Sequence, residues 1–160
     1  MKLTYLLFVI FMTMGLNACI KPPDFSDIPS IEFISLTKNS MLQSSFQLDS
    51  LWINFSFTDG DGDLGDLDSF NVFLKDNRDG FIASKYTIPV IPEEASGNGI
   101  KGDISLLLYT TCCYYSNGFP PCEPNPAEPT DTLTYDIYIK DRAGNLSNII
   151  TTDPIYLQCQ

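Results

Sequence analysis

Two hydrophobic patterns divide this chain. Leu3 to Leu16 is an almost unbroken apolar run, diluted only by Thr4, Tyr5, Thr13 and Gly15. Beyond it, apolar and polar residues alternate over short stretches bounded by Gly, Pro, Asn and Asp. The clearest stretch is Leu51 to Phe57. It places Leu51, Ile53, Phe55 and Phe57 on one face and Trp52, Asn54 and Ser56 on the other, the period of a half-buried strand. Leu133 to Lys140 repeats the pattern, with Leu133, Tyr135, Ile137 and Ile139 opposing Thr134, Asp136 and Tyr138. Ile31 to Thr37 alternates weakly. Phe70 to Lys75 and Phe81 to Ile91 read as further strands, the second ending at Pro89 and Pro92. Ile104 to Tyr109 is a buried-looking run, and Asn148 to Leu157 supplies a last strand or two, broken by Pro154. No window has a helical period. About seven short strands separated by turn residues predict an all-β fold, a single immunoglobulin-like β-sandwich over residues 31–160. Pro120 to Pro129 reads as a surface loop before the Leu133 strand.

The first apolar run follows a positive start at Lys2 and ends in Leu16-Asn17-Ala18-Cys19. It is too short to span a bilayer comfortably, and its small-residue exit is that of a secretory signal covering residues 1–18. Leu16-Asn17-Ala18-Cys19 resembles the lipobox of bacterial lipoproteins, although Asn17 stands where Ser or Ala is usual. The resemblance implies cleavage before Cys19 and attachment of a diacylglyceryl group to its thiol. Two or three acyl chains hold a protein firmly to a membrane, where one does not. Residues 19–30 then form a flexible tether, since three prolines and two acids follow Cys19 in this stretch and disfavour regular structure. Lys21 and Asp24 loosely resemble the surface-export signal of Bacteroidota lipoproteins. The expected location is the outer membrane, on its cell-surface or periplasmic face.

Charge and missing residue types narrow the function. The chain carries a net charge of -11 and has no basic cluster. That argues against nucleic acid, whose phosphates are neutralised by Lys and Arg, and against docking onto anionic lipid. It suits an exported domain and hard cations. The absence of histidine excludes a Ser-His-Asp or Cys-His catalytic unit and every His-ligated metal site.

With Cys19 set aside for lipid, Cys112, Cys113, Cys122 and Cys159 remain. Four cysteines in an exported chain point to two disulfides. Neighbours on a strand point to opposite faces. If Cys112 and Cys113 lie on a strand, one can close the loop to Cys122 while the other reaches Cys159, with both crossings open. The third connectivity, through a vicinal Cys112–Cys113 bond, is disfavoured by strain. A four-thiolate zinc site is the alternative, but the paired Cys-x-x-Cys spacing is lacking.

The most chemical-looking segment is Phe57-Thr58-Asp59-Gly60-Asp61-Gly62-Asp63-Leu64-Gly65-Asp66-Leu67-Asp68, with five carboxylates in ten residues. Such crowding is repulsive unless water screens it or a cation neutralises it. Calcium (Ca2+) takes carboxylate and carbonyl oxygens. Asp59, Asp61, Asp63 and Asp66 are the leading ligand candidates. Leu64 and Phe70 occupy the places where an EF-hand needs Gly and Glu, which excludes that motif. The segment resembles a strand-end motif of uncharacterised Bacteroidota lipoproteins with immunoglobulin-like domains. Ile139-Lys140-Asp141-Arg142-Ala143-Gly144-Asn145-Leu146-Ser147 resembles a hairpin near the end of bacterial immunoglobulin-like and cadherin-like domains. The two resemblances together imply that the loops meet at one pole of a sandwich, adding Asp141 and Asn145 as weaker ligands. Both segments can also be metal-free turns, because Asp-Gly and Gly-Asn pairs make tight hairpins unaided.

Three lesser signals remain. Asp49-Ser50-Leu51 and Asp131-Thr132-Leu133 resemble Bacteroidota O-glycosylation acceptors. Trp52 and Tyr109 are aromatic candidates for a sugar-binding surface. Tyr114, Tyr115 and Phe119 form the expected exposed recognition patch beside the cysteine loop. The function expected is a non-enzymatic, lipid-anchored envelope module that binds a protein or glycan or makes a structural contact. The alternatives are a carboxylate-based glycan hydrolase drawing on Glu32, Glu93, Glu94, Glu123 or Glu128, and a subunit of a larger outer-membrane complex joined through a strand edge.

Overall fold

The computed structural model describes residues 25–91 and 99–160. The signal segment, Cys19, Lys21, Asp24, Glu93 and Glu94 lie outside the described residues. In chain order the strands are β1 (Ser30–Leu36), β2 (Ser40–Leu42), β3 (Ser50–Asp59), β4 (Val72–Asp76), β5 (Ile82–Tyr86), β6 (Ile100–Tyr109), β7 (Thr130–Leu133), β8 (Tyr135–Ile139), β9 (Ile150–Thr151) and β10 (Ile155–Gln158). The described residues are all-β, without a helix, and none forms a helix long and apolar enough to cross a membrane. Three sheets are formed, in the orders β1-β3-β6, β2-β10-β7 and β5-β4-β8-β9. All pairings are antiparallel except β2 with β10.

Alternation explains which face each strand buries. Leu51, Ile53, Phe55 and Phe57 of β3 are buried, and β8 contributes Tyr135, Ile137 and Ile139. They join Ile31, Val72, Leu74, Leu106, Leu108, Leu133, Ile155 and Leu157 in one core shared by all three sheets. Burial of each such side chain stabilises the fold by about 1.5–3 kcal/mol before conformational entropy is counted.

The strands are more numerous and shorter than the expected seven. The Leu133–Lys140 stretch is two strands in two sheets: β7 pairs with β10, and β8 with β4 and β9. Its neighbour breaks at the same level, so β9 and β10 also part company across Thr152–Pro154. Tyr135 N donates to Thr152 Oγ1 (3.0 Å), and Thr152 N donates back to Tyr135 O (2.9 Å). This pair holds the two chains together where both change sheet. The Phe81–Ile91 strand stops at Tyr86, and Ser40–Leu42 adds a short strand that alternation did not reveal.

The two disulfides join Cys112 with Cys122 and Cys113 with Cys159. Cys113 and Cys159 are buried in the core. From the 10- and 46-residue separations, loop-closure entropy gives about 3 and about 4 kcal/mol of stabilisation respectively.

β3 and β6 run the full height of their sheet, Ser50 opposite Tyr109 and Asp59 opposite Ile100. Ten residues of strand span roughly 30 Å. One pole therefore carries Asp59, the start of β1 and the segment leading into it. The other carries the Cys112–Cys122 loop and the β2–β3 connection.

Candidate metal centre

The alternating face of β3 does not stop at Phe57. Asp59 is the next inward position and is fully buried, at 0% exposure. The inward face of β8 continues in the same way through Tyr135, Ile137 and Ile139 to Asp141, which is 3% exposed. Two carboxylates thus end up in the apolar layer because each is the in-phase successor of an apolar run. Asp63 joins them from the turn after β3. One carboxylate oxygen from each of Asp59, Asp63 and Asp141 lies within 4.8 Å of the others. Oxygens bound at 2.3–2.6 Å to a single calcium ion span that distance.

Each carboxylate is held by the backbone around it. Leu64 N donates to Asp59 Oδ2 (3.0 Å), and Ala143 N donates to Asp63 Oδ2 (2.8 Å). Asn145 donates twice to Asp141, from its backbone N to Oδ1 (2.7 Å) and from Nδ2 to Oδ2 (2.8 Å). Arg142 secures the loop by donating from Nη1 to Gly65 O (3.1 Å). The remaining oxygens of Asp59 and Asp63, both Oδ1, are buried and have no hydrogen-bond partner among the described residues. A buried polar atom without a partner carries its full desolvation cost, about 1–3 kcal/mol and more for a charged group.

The electrostatics agree. Burial pushes the Asp59 carboxyl up from 3.8 to about 6, reinforced by the negative charges of Asp61, Asp63 and Asp141 and only partly opposed by the Leu64 N–H. Asp63 is raised as well, first by burial and then by Asp141 and Asp61. No ion pair among the described residues reaches these three carboxylates. The donor set is all oxygen, which suits hard cations such as calcium or magnesium rather than zinc or copper.

The structure sorts the sequence candidates. Asp59, Asp63 and Asp141 converge. Asn145 positions Asp141 through its two donated hydrogen bonds. Asp61 is exposed on the turn and outside the group. Asp66 is also outside it. Its oxygens accept Asp68 N (2.9 Å) and Ser69 Oγ (2.6 Å), and the bond from Ser69 foremost lowers its pKa.

At the opposite pole, Tyr114 and Phe119 are exposed, but Tyr115 is buried. The Tyr115 hydroxyl donates to Glu123 O (2.6 Å), and its ring packs edge-on against Phe119. It anchors the loop, because burying the ring requires a partner for the phenol. Tyr114 lies under the Arg78 guanidinium, 4.2 Å from its ring centre. The sequence reading missed two exposed residues here, Phe46 (81% exposed) and Leu48 (78%). They flank Gln47, whose φ of +56° is left-handed and uncommon for a residue with a Cβ. No turn motif marked the site, because Gln is not a residue that signals this conformation. No family model, characterised protein or solved structure matches this chain.

Proposed function

We propose that this chain is a non-enzymatic, lipid-anchored cell-envelope protein of the bacterial outer membrane. In this reading an immunoglobulin-like β-sandwich is stabilised by calcium at the pole nearest the membrane and presents its other pole to a protein or glycan partner. The observation that carries the calcium reading is the pair of buried, unpartnered oxygens, Asp59 Oδ1 and Asp63 Oδ1, beside Asp141. Calcium supplies the positive charge that the site lacks. The three carboxylates would hold it, and solvent and backbone oxygens would complete its six to eight ligands.

The anchoring reading rests on the Leu16–Cys19 segment and on the chain entering β1 at the acidic pole. The partner reading rests on the placement of Phe46, Leu48, Tyr114 and Phe119 on loops at the far end, because loops on a rigid scaffold are where recognition concentrates. Calorimetric titration with calcium tests the first part. A saturable heat with Kd of about 0.1–1 mM, the range of extracellular modules, is expected together with a rise in melting temperature. Neither heat nor thermal shift up to several millimolar would remove calcium from the reading. Cys19→Ser is expected to release the protein from membranes. Retention of that variant in the membrane fraction would refute the anchor.

A further inference from the structure

The acidic loop is packed against the segment that leads into β1. Gly60 N donates to Ser26 O (2.8 Å). Among the described residues, this is the backbone hydrogen bond that joins residues 25–29 to the rest of the protein. The approach is so close that a Cβ on Gly60 would overlap the Phe25 carbonyl oxygen and the Ser26 carbonyl group. On its other side, the Asp59–Gly60 peptide meets Gly99, where a Cβ would strike Asp59 O and Gly60. Only glycine permits this stacking of three backbones. Asp59, the fully buried carboxylate with the unpartnered Oδ1, is the residue immediately before Gly60. The group that contacts the preceding segment is therefore one peptide unit away from the group that would hold the cation.

Resting on the calcium reading above, we propose that the Asp59–Asp63–Asp141 site is a cation-controlled clamp on the chain segment Phe25–Pro29. With a cation bound, the three carboxylates draw together, Gly60 is held in place, and the segment is seated through Ser26. Without it, repulsion among the three carboxylates loosens the loop, and the seat for Ser26 is lost. For an anchored protein the consequence is mechanical. Calcium would decide whether the domain stands at a fixed angle on its tether or swings freely.

Chymotryptic cleavage of the Phe25–Ser26 bond, followed by mass spectrometry on the full chain carrying Cys19→Ser, reads the clamp. Calorimetry on the same sample reads cation binding. About 5 mM calcium should slow the cleavage at least about tenfold relative to chelator, as expected when a local opening equilibrium is suppressed. Asp63→Asn should lose both the heat and the protection. Gly60→Ala should lose the protection yet still bind calcium, with its affinity weakened by no more than the protection factor of about tenfold, since the two equilibria are coupled, which separates clamp from site. Calcium heat in the wild type with unchanged cleavage at Phe25 would overturn the clamp and leave the metal site standing. Absence of calcium heat would overturn both. The wild-type comparison decides even if a variant fails to fold.

Discussion

Buried carboxylates occur at both poles of this protein, and the two poles treat them oppositely. At the disulfide pole, Asp76 is the in-phase successor of Val72 and Leu74 on β4, just as Asp59 succeeds Phe57 on β3. Asp76 meets Arg78, which grips it through Nε and Nη2 and reaches Asp131 Oδ2 with Nη1 (2.6 Å). Burial alone would lower the Arg78 pKa, but the hydrogen bonds and charges of Asp76 and Asp131 outweigh it and leave the pKa raised. Arg78 Nη1 also donates to Cys112 O (3.1 Å), tying the ion triad to the disulfide loop. At the acidic pole the nearest guanidinium, that of Arg142, is spent on Gly65 O. One pole contains its own counter-charge. The other brings three acids together with no ion pair among the described residues, Arg142 offsetting Asp63 only in part. A buried charge needs compensation wherever it lies, and the source of that compensation separates a structural site from a binding site.

The strongest way to break this comparison is to remove the internal counter-charge. Arg78→Met leaves Asp76 and Asp131 with backbone N–H donors but without a counter-charge, and should cost about 3–5 kcal/mol, the usual result of breaking one side of a buried pair. Chemical denaturation measures it. A loss below about 1 kcal/mol would mean that the disulfide pole does not depend on its arginine, and the contrast would fail.

Neutralising the matching acid at the other pole should act with the opposite sign. Asp59 has a folded pKa of about 6, against 3.8 ordinarily. Its contribution to stability is therefore fully present below about pH 4 and is lost as pH rises through about 6, because the native state binds the proton more tightly than the unfolded chain. The loss at pH 7.5 is at most about 3 kcal/mol, given 1.36 kcal/mol for each tenfold change in the proton equilibrium, and solvent screening of the group reduces it. In chelator, Asp59→Asn should then be more stable than wild type at pH 7.5 by up to that amount, and equal to it near pH 4. Melting both proteins across this range isolates Asp59 from the other carboxylates. A destabilised variant at every pH would show that the ionised group is already compensated.

How much of this was legible beforehand follows from phase. The apolar faces of β3 and β8 could be read directly, because leucine, isoleucine and phenylalanine recur at every second position. The sheet change at Thr134 could not. Leu133 and Tyr135 stay in phase across it, since both sheets bury the same alternating face against one core. Asp59 and Asp141 were legible in principle as the next inward positions, a sharper signal than acid density, which ranked Asp61 and Asp66 equally with Asp59 and ahead of Asp141. Asp63 was named as a candidate through acid density alone. What set it apart from Asp61 and Asp66 was not legible, because it reaches the site from a turn whose direction depends on contacts distant in sequence, including that of Asp63 O with Arg142 N (3.4 Å). The Arg78 triad was invisible for the same reason: Asp131 lies 53 residues from Arg78.

Calcium itself gives an effect of intermediate size. At a concentration of 100 times Kd, a ligand that binds only the native state stabilises by about 2.7 kcal/mol. The stabilisation should grow as pH rises through about 6, since calcium displaces the proton that burial places on Asp59. Thermal shifts measured with and without calcium at pH 5 and pH 7.5 check this. An equal shift at both values would separate the cation from Asp59 and move its site elsewhere.

The smallest effect is the finest test, because it asks whether the site is a defined pocket or a diffuse acidic surface. Asp66 lies on the same loop as Asp63, yet both its oxygens are engaged locally by Asp68 and Ser69. It influences a bound cation only through solvent. Asp66→Asn should weaken calcium binding by no more than about fivefold, the range of an exposed ion pair, and this loss should vanish in high salt, which screens exposed charges. Asp63→Asn should instead remove binding at every salt concentration. Equal losses from the two substitutions would mean that charge density, rather than the buried oxygens of Asp59 and Asp63, attracts the ion. The acidic pole would then differ from the disulfide pole only in net charge and not in the geometry of its carboxylates.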